Sequence, residues 1–121
     1  MLIIRKEQME ALSAHARAKF ISVMRRHLEG AFPERCAEFG EERVRALIES
    51  GMTKAEGFGL VAEQDVAGLI HFMFESHPEF DRRPEFGWAV EVLRDTSVEP
   101  TERVDRLYRE WTPRKRAGRS G

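Results

Sequence analysis

The sequence predicts an all-α fold, a single compact domain of five to six helices. Apolar residues recur at helical spacing through most of the chain, and glycine and proline interrupt this pattern at intervals. No apolar–polar alternation typical of a strand runs longer than four residues. The stretch over residues 62–76 is the most apolar of the helical segments, so we expect it to be a central helix around which the others pack.

The first helix is expected over about residues 5–28 and would be the longest in the chain. Gly30 and Pro33 end it, because both residues disfavour continuation of a helix. A second, two-turn helix is expected over 33–39, with Pro33 at its first position and Gly40 after its last. The apolar positions of the first helix are Met9, Leu12, Ala16, Phe20, Val23, Met24 and His27.

A third helix is expected from Glu41, whose charge suits the positive end of a helix, to Gly57. The central helix follows, with Glu63 and Asp65 in its first turn, and is expected to end just before Pro78. Its buried face is predicted to consist of Ala62, Val66, Leu69, Ile70 and Met73, with Phe72 and Phe74 on the flanks.

The sequence of the last third of the chain predicts a loop, a short helix and a final helix. Residues 77–85 contain two prolines and are expected to form a loop pinned by Phe80. A short helix follows from Phe86, and Pro100 opens the last one. The apolar positions of these two helices are Ala89, Val92 and Leu93, then Val104, Leu107, Tyr108 and Trp111. We expect the helical domain to cover 1–111 and residues 112–121 to be a disordered basic tail.

The charge of the chain is unevenly distributed. The net charge is −1, but Arg114, Lys115, Arg116 and Arg119 place +4 on the last ten residues and leave −5 on the preceding body. An acidic body repels phosphate backbones, so we expect no nucleic-acid partner. The tail alone could bind nucleic acid or an acidic protein surface, fold back on the body, or act only as a solubility feature.

Cysteine content and hydropathy favour a cytoplasmic protein. Cys36 is the single cysteine, which excludes an internal disulfide and suits a reducing compartment. The amino terminus lacks the apolar core of a signal peptide. No apolar stretch approaches the roughly 20 residues that a membrane span requires, so we expect no membrane association.

We expect no catalytic residue, no cofactor and no metal site. His71 and His77 lie near Glu75, Glu79 and Asp81, but histidines six apart do not face each other on a helix, and the set matches no closed zinc pattern. Cys36 has no nearby histidine in sequence and is expected to be buried rather than nucleophilic. No phosphate-binding or nucleophile-elbow motif is present.

Five aromatic residues fall within seventeen positions, and most of them should belong to the core. One face of one helix cannot bury all five, however, and aromatic side chains rimmed by charge are typical of partner-binding surfaces. Both interpretations stay open at this point, and Trp88 is the first choice for exposure. The candidate partner-binding residues are Phe74, Phe80, Phe86 and Trp88, and Phe72 is the fifth aromatic residue, which is not a candidate.

Four runs of the sequence resemble a group of short uncharacterised bacterial proteins associated with type VI secretion effector gene clusters. They are IIRKEQMEAL from Ile3, HLEGAFPERC from His27, GFGLVAEQDVAGLIHFMF from Gly57 and FGWAVEVLRD from Phe86. The resemblance covers residues 1–95 and carries no catalytic signature. It implies a role beside spike proteins, effectors and their chaperones.

We therefore expect a non-enzymatic adaptor or co-chaperone that binds a type VI effector or spike component. The rival hypothesis is an immunity protein that neutralises a cognate toxin, since an acidic body suits a basic toxin face. An enzyme is the third hypothesis, and a deep pocket around His71 would favour it. A homodimer is also open, because the long first helix offers a dimer face.

Overall fold

Six α-helices and two short 3-10 turns make up most of the chain that the computed structural model describes, residues 13–119. The predicted all-α fold is confirmed, and no β-strand occurs among these residues. The helices are α1 Ala14–Ala31, α2 Pro33–Phe39, α3 Glu41–Gly57, α4 Glu63–Glu75, α5 Gly87–Arg94 and α6 Pro100–Arg119. They divide into two compact units, with α1 to α4 in residues 13–79 and the remainder in residues 80–119.

The first helix begins later than predicted. Ser13 has an extended backbone, and its hydroxyl accepts a hydrogen bond from the Ala16 N–H at 3.1 Å, which caps α1. A helix running on from residue 5 is therefore interrupted at Ser13, while residues 5–12, with Met9 and Leu12, lie outside the described range. Among the described helices α6 is the longest at 20 residues, against 18 for α1, so the prediction of relative length is also wrong.

The boundaries of α2 and α3 agree with the sequence prediction. Pro33 opens α2, and Gly40 separates it from α3 with a φ of 84°. That left-handed conformation favours glycine, because a Cβ atom would be strained there. Glu41 and Glu42 then occupy the first turn of α3.

The predicted central helix is confirmed as α4, within one residue at each end. It packs against α3 and α1, and its apolar side chains, including Phe72, are buried on nearly all sides. The close approach of α3 depends on Gly51. A Cβ atom at that position would lie 2.6 Å from Ile70 Cγ1 and 2.9 Å from Met73 Sδ.

Within residues 80–119, α5 packs against α6, and a buried arginine fixes the link between them. Arg103 is only 5% exposed. Its Nη1 donates to the Leu93 carbonyl at 2.6 Å, and its Nε donates to the Val98 carbonyl at 3.0 Å. Leu93 lies in the last turn of α5, where carbonyl groups lack helical partners, so the arginine satisfies an acceptor and complements the helix dipole.

The prediction that residues from Thr112 onward are disordered is wrong for 112–119, which continue α6. Pro113 cannot donate a backbone hydrogen bond, and this is why the sequence pattern predicts an end there. Two side chains on either side of it bond back to carbonyls of the preceding turn. Thr112 Oγ1 donates to the Tyr108 carbonyl at 3.0 Å, and Arg114 Nη1 donates to the Glu110 carbonyl at 2.8 Å. The basic residues beyond Pro113 also suit the negative end of a helix.

Candidate functional site

Two of the four residues predicted to contact a partner are fully buried, at 0% exposure, and belong to the core instead. Phe74 lies on α4, and its ring packs at 6.2 Å from Phe32 and edge-on at 5.9 Å from Phe39. Phe80 opens a 3-10 turn that packs against α5. Neither ring can bury further surface against a partner while this fold is intact.

The other two predicted residues belong to an aromatic cluster in residues 80–119. Trp88 on α5 and Trp111 on α6 are both half-buried, and their rings lie nearly parallel, at 17° with centroids 6.4 Å apart. Phe86, also half-buried, lies 5.9 Å from the Trp111 ring. The Arg114 guanidinium lies 4.2 Å from the centre of the Trp88 ring, within range for a cation–π interaction. We call Phe86, Trp88, Trp111 and Arg114 the tryptophan surface.

Sequence reasoning missed Trp111 and Arg114 as members of this surface. Trp111 fits the apolar stripe of α6 and is expected in the core, while Arg114 falls in the predicted tail. Continuation of α6 past Pro113 is what aligns them, because residues three apart lie on one helix face. The sequence signal for this surface is a tryptophan followed three positions later by an arginine. Pro113 lies between them and predicts that the helix ends before the arginine.

His71 pairs with a histidine that the sequence analysis had assigned to the first helix. His27 Nε2 and His71 Nδ1 lie 3.0 Å apart, and the Phe32 ring packs on His71 with centroids 4.9 Å apart. The Nδ1 atom of His77 instead accepts a hydrogen bond from the Glu79 N–H at 2.9 Å. Among residues 13–119, no three histidine, cysteine or carboxylate side chains gather closely enough to hold a metal ion.

Cys36 is buried, as predicted, at 8% exposure. Burial raises the pKa of its thiol, and the nearby negative charge of Glu29 raises it further. The thiol therefore stays protonated at neutral pH, whereas a nucleophilic cysteine needs the thiolate.

A shallow groove between α1 and α3, with a volume of about 360 Å³, is a second candidate site. Its floor is apolar, and its rim carries balanced charge, with Arg25 Nη1 bound to Glu41 Oε1 at 2.7 Å. The Arg25–Glu41 pair is largely exposed and stabilises the fold only weakly, and the rim, with two arginines and two glutamates, has no excess of either charge for a ligand. Its lining includes Ala18, Ile21, Arg25, Glu41, Glu42 and Arg45.

Comparison of the chain with protein-family models, with curated proteins and with solved structures finds no match. The geometry of the described residues is therefore the basis for a functional proposal. No helix within 13–119 has both the length and the apolar character needed to cross a membrane.

The tryptophan surface is the better candidate of the two sites. Large, rigid aromatic side chains contribute apolar area at a small cost in conformational entropy, and they are enriched among residues that dominate binding energy. The surface combines two half-exposed tryptophans with a fixed arginine, which suits recognition of a protein segment.

Proposed function

We propose that this chain is a non-enzymatic adaptor or co-chaperone that binds a protein partner through the tryptophan surface. The partner class is a type VI secretion effector or spike component, following the resemblance of the sequence, and the site of action is the cytoplasm. The observation that carries the proposal is the half-exposed stack of Trp88 on Trp111. Binding would hold an effector ready for loading, without chemistry on the effector itself.

The buried thiol and the partly buried histidine pair also favour a binding role. The thiol of Cys36 is held protonated, and His27 and His71 satisfy each other. A catalytic group needs an accessible proton donor, acceptor or nucleophile beside its substrate. The tryptophan surface instead provides apolar area and one cation, which suit binding.

The test is affinity capture of the tagged protein from its native host, followed by mass spectrometry and light scattering of the eluted complex. The adaptor proposal expects a stoichiometric complex with a secretion effector or spike component. Recovery of the protein alone, as a monomer or homodimer, would contradict it.

The alternative function is that of an immunity protein that covers a toxin. Residues 13–79 favour this alternative, because they carry eleven acidic side chains against eight basic ones and so suit a basic toxin surface. Co-expression separates the two functions. An immunity protein rescues growth of cells that express the isolated toxin domain, whereas an adaptor alters secretion and leaves that toxicity unchanged.

A further inference from the structure

We infer that the segment bound by the tryptophan surface is acidic, with carboxylates on either side of an apolar side chain. This inference rests on the proposed function and specifies the chemistry of the partner. It begins from the charge of α6. Between Trp111 and Gly118 there are three basic side chains, Arg114, Lys115 and Arg116, and no acidic one, and all three start from the helix.

The helix brings positive charge directly beside the aromatic rings. Arg114 and Lys115 follow Trp111 by three and four positions, so both start from the same face of α6 as the indole. Arg116, one residue further on, is exposed. A partner side chain that packs on Trp111 therefore approaches a cluster of cations, and a carboxylate beside it would gain favourable Coulomb energy.

Arg114 is arranged to accept a carboxylate. Its side chain is 43% exposed, and its contacts with Glu110 among the described residues use only Nη1. A guanidinium has five N–H donors, so those on Nε and Nη2 are available for the two-oxygen grip that arginine makes on carboxylates. Its position over the Trp88 ring restricts the guanidinium and so reduces the entropy lost on binding. Glu110 Oε1, 3.7 Å away, demonstrates that a carboxylate can reach this group.

A peptide fits this surface better than a nucleic acid. Single-stranded nucleic acids bind where aromatic faces accept bases along a positively charged groove. Here Arg114 already covers a face of Trp88, so a base would have to displace the guanidinium. The whole chain has a net charge of −1, which opposes accumulation of phosphate. A peptide needs only one apolar contact and a few carboxylates.

The test uses the purified full-length protein and its own fluorescence. The chain contains two tryptophans, and both belong to this surface, so tryptophan emission reports on the site directly. The probes are short synthetic peptides without aromatic residues: one alternates glutamate with leucine, a second replaces leucine by serine, and a third replaces glutamate by lysine. A single-stranded oligonucleotide is the fourth probe.

We expect the glutamate–leucine peptide to change tryptophan emission and to bind about tenfold tighter than each other probe. Arg114→Glu and Lys115→Glu should each weaken that binding by about tenfold, whereas Arg94→Glu, at an exposed position on α5, should leave it unchanged. Lys115→Glu keeps the test valid if Arg114→Glu disturbs the helix. Equal binding of the lysine peptide, tighter binding of the oligonucleotide, no binding of the glutamate–leucine peptide, or insensitivity to both reversals would overturn the inference.

Failure of this inference is distinguishable from failure of the proposed function. Capture of a secretion component that does not compete with the glutamate–leucine peptide would support the adaptor role and contradict the inference of an acidic segment. Binding of the peptide, when no secretion component is captured, would support the preference of this surface for acidic segments and contradict the adaptor role.

Discussion

His27 Nε2 lies 3.0 Å from His71 Nδ1, and this hydrogen bond ties α1 to α4 across 44 positions of sequence. One ring donates and the other accepts, so each nitrogen satisfies the other in a partly buried site. A hydrogen bond of this kind stabilises a fold by about 1 kcal/mol, and loss of one member leaves the other without this partner in a partly buried site.

The His27→Ala variant should therefore lower the free energy of unfolding by about 1 to 2 kcal/mol. The measurement is urea unfolding at neutral pH, with His15→Ala as the control because His15 is exposed on α1. The double variant His27→Ala/His71→Ala should lose less than the sum of the two single losses, by about 1 kcal/mol. Strict additivity would contradict a direct interaction between the rings.

Replacement of Gly51 by alanine should destabilise the packing of α3 on α4. The added Cβ would fall 2.6 Å from Ile70 Cγ1 and 2.9 Å from Met73 Sδ, so the helices must separate or the side chains must leave their rotamers. We expect a loss of about 1 to 3 kcal/mol in the free energy of unfolding. Gly30→Ala is the matched control on α1, with nothing within 4 Å of its Cβ, and it should gain about 0.5 to 1 kcal/mol. Equal responses at the two positions would show that helix propensity alone decides the effect.

Arg103→Met should destabilise residues 80–119. The substitution removes the N–H groups that donate to the carbonyls of Leu93 and Val98, so these two acceptors lose those hydrogen bonds. A loss of about 2 to 3 kcal/mol in the free energy of unfolding is expected, since a hydrogen bond to a charged group stabilises a fold more than one between neutral groups. Arg103→Lys should recover only part of it, because an ammonium cannot reproduce the fork of a guanidinium. The exposed Arg94→Met serves as the control and should change stability by less than about 0.5 kcal/mol.

Asp95 should contribute stability that is lost in acid. The Ser97 hydroxyl and the Ser97 N–H donate to its carboxylate and lower its pKa, with a smaller contribution from Arg106. Because the pKa in the folded state lies below that of the unfolded chain, the stabilisation is complete above the ordinary range for aspartate, about 4, and disappears as the pH falls through the lowered value.

The Ser97→Ala variant should raise the pKa of Asp95 toward the ordinary range and make unfolding less sensitive to acid. Titration of the side-chain carboxyl carbon by NMR measures the first effect, and urea unfolding across acidic pH measures the second. Thr96→Ala, at the exposed neighbouring position, is the control. An unchanged Asp95 titration in Ser97→Ala would assign the lowered pKa to the residue 97 N–H and to Arg106 and Arg103, and not to the hydroxyl.

The helix boundaries around α2, α3 and α4 follow from local chemistry, which explains why the sequence predicts them closely. Pro33 begins a helix, Gly40 supplies a left-handed turn, and Ser76 lies just before Pro78, where the chain must leave the helix. None of these effects depends on residues far away in sequence.

Positions that depend on distant partners could not be predicted in the same way. Phe74 is core because Phe32 and Phe39 reach it from around α2, and helical periodicity on α4 carries no information about either ring. The Trp88 and Trp111 stack likewise joins two helices. The extension of α6 past Pro113 runs against a local penalty of about 3 kcal/mol, and the contact of Arg114 with Trp88 on α5 is a tertiary interaction that local sequence does not indicate.

The most direct test of the central claim compares partner capture by the wild-type protein and by Trp88→Ala from the native host. A tryptophan that anchors a partner contributes about 2 kcal/mol or more, so the variant should bind the captured secretion component at least about thirtyfold more weakly. Phe58→Ala, at a half-buried aromatic residue after α3, is the control and should capture as the wild type does. Circular dichroism should give the same helical content for all three proteins. Undiminished capture by a folded Trp88→Ala protein would contradict the claim that this surface docks the partner.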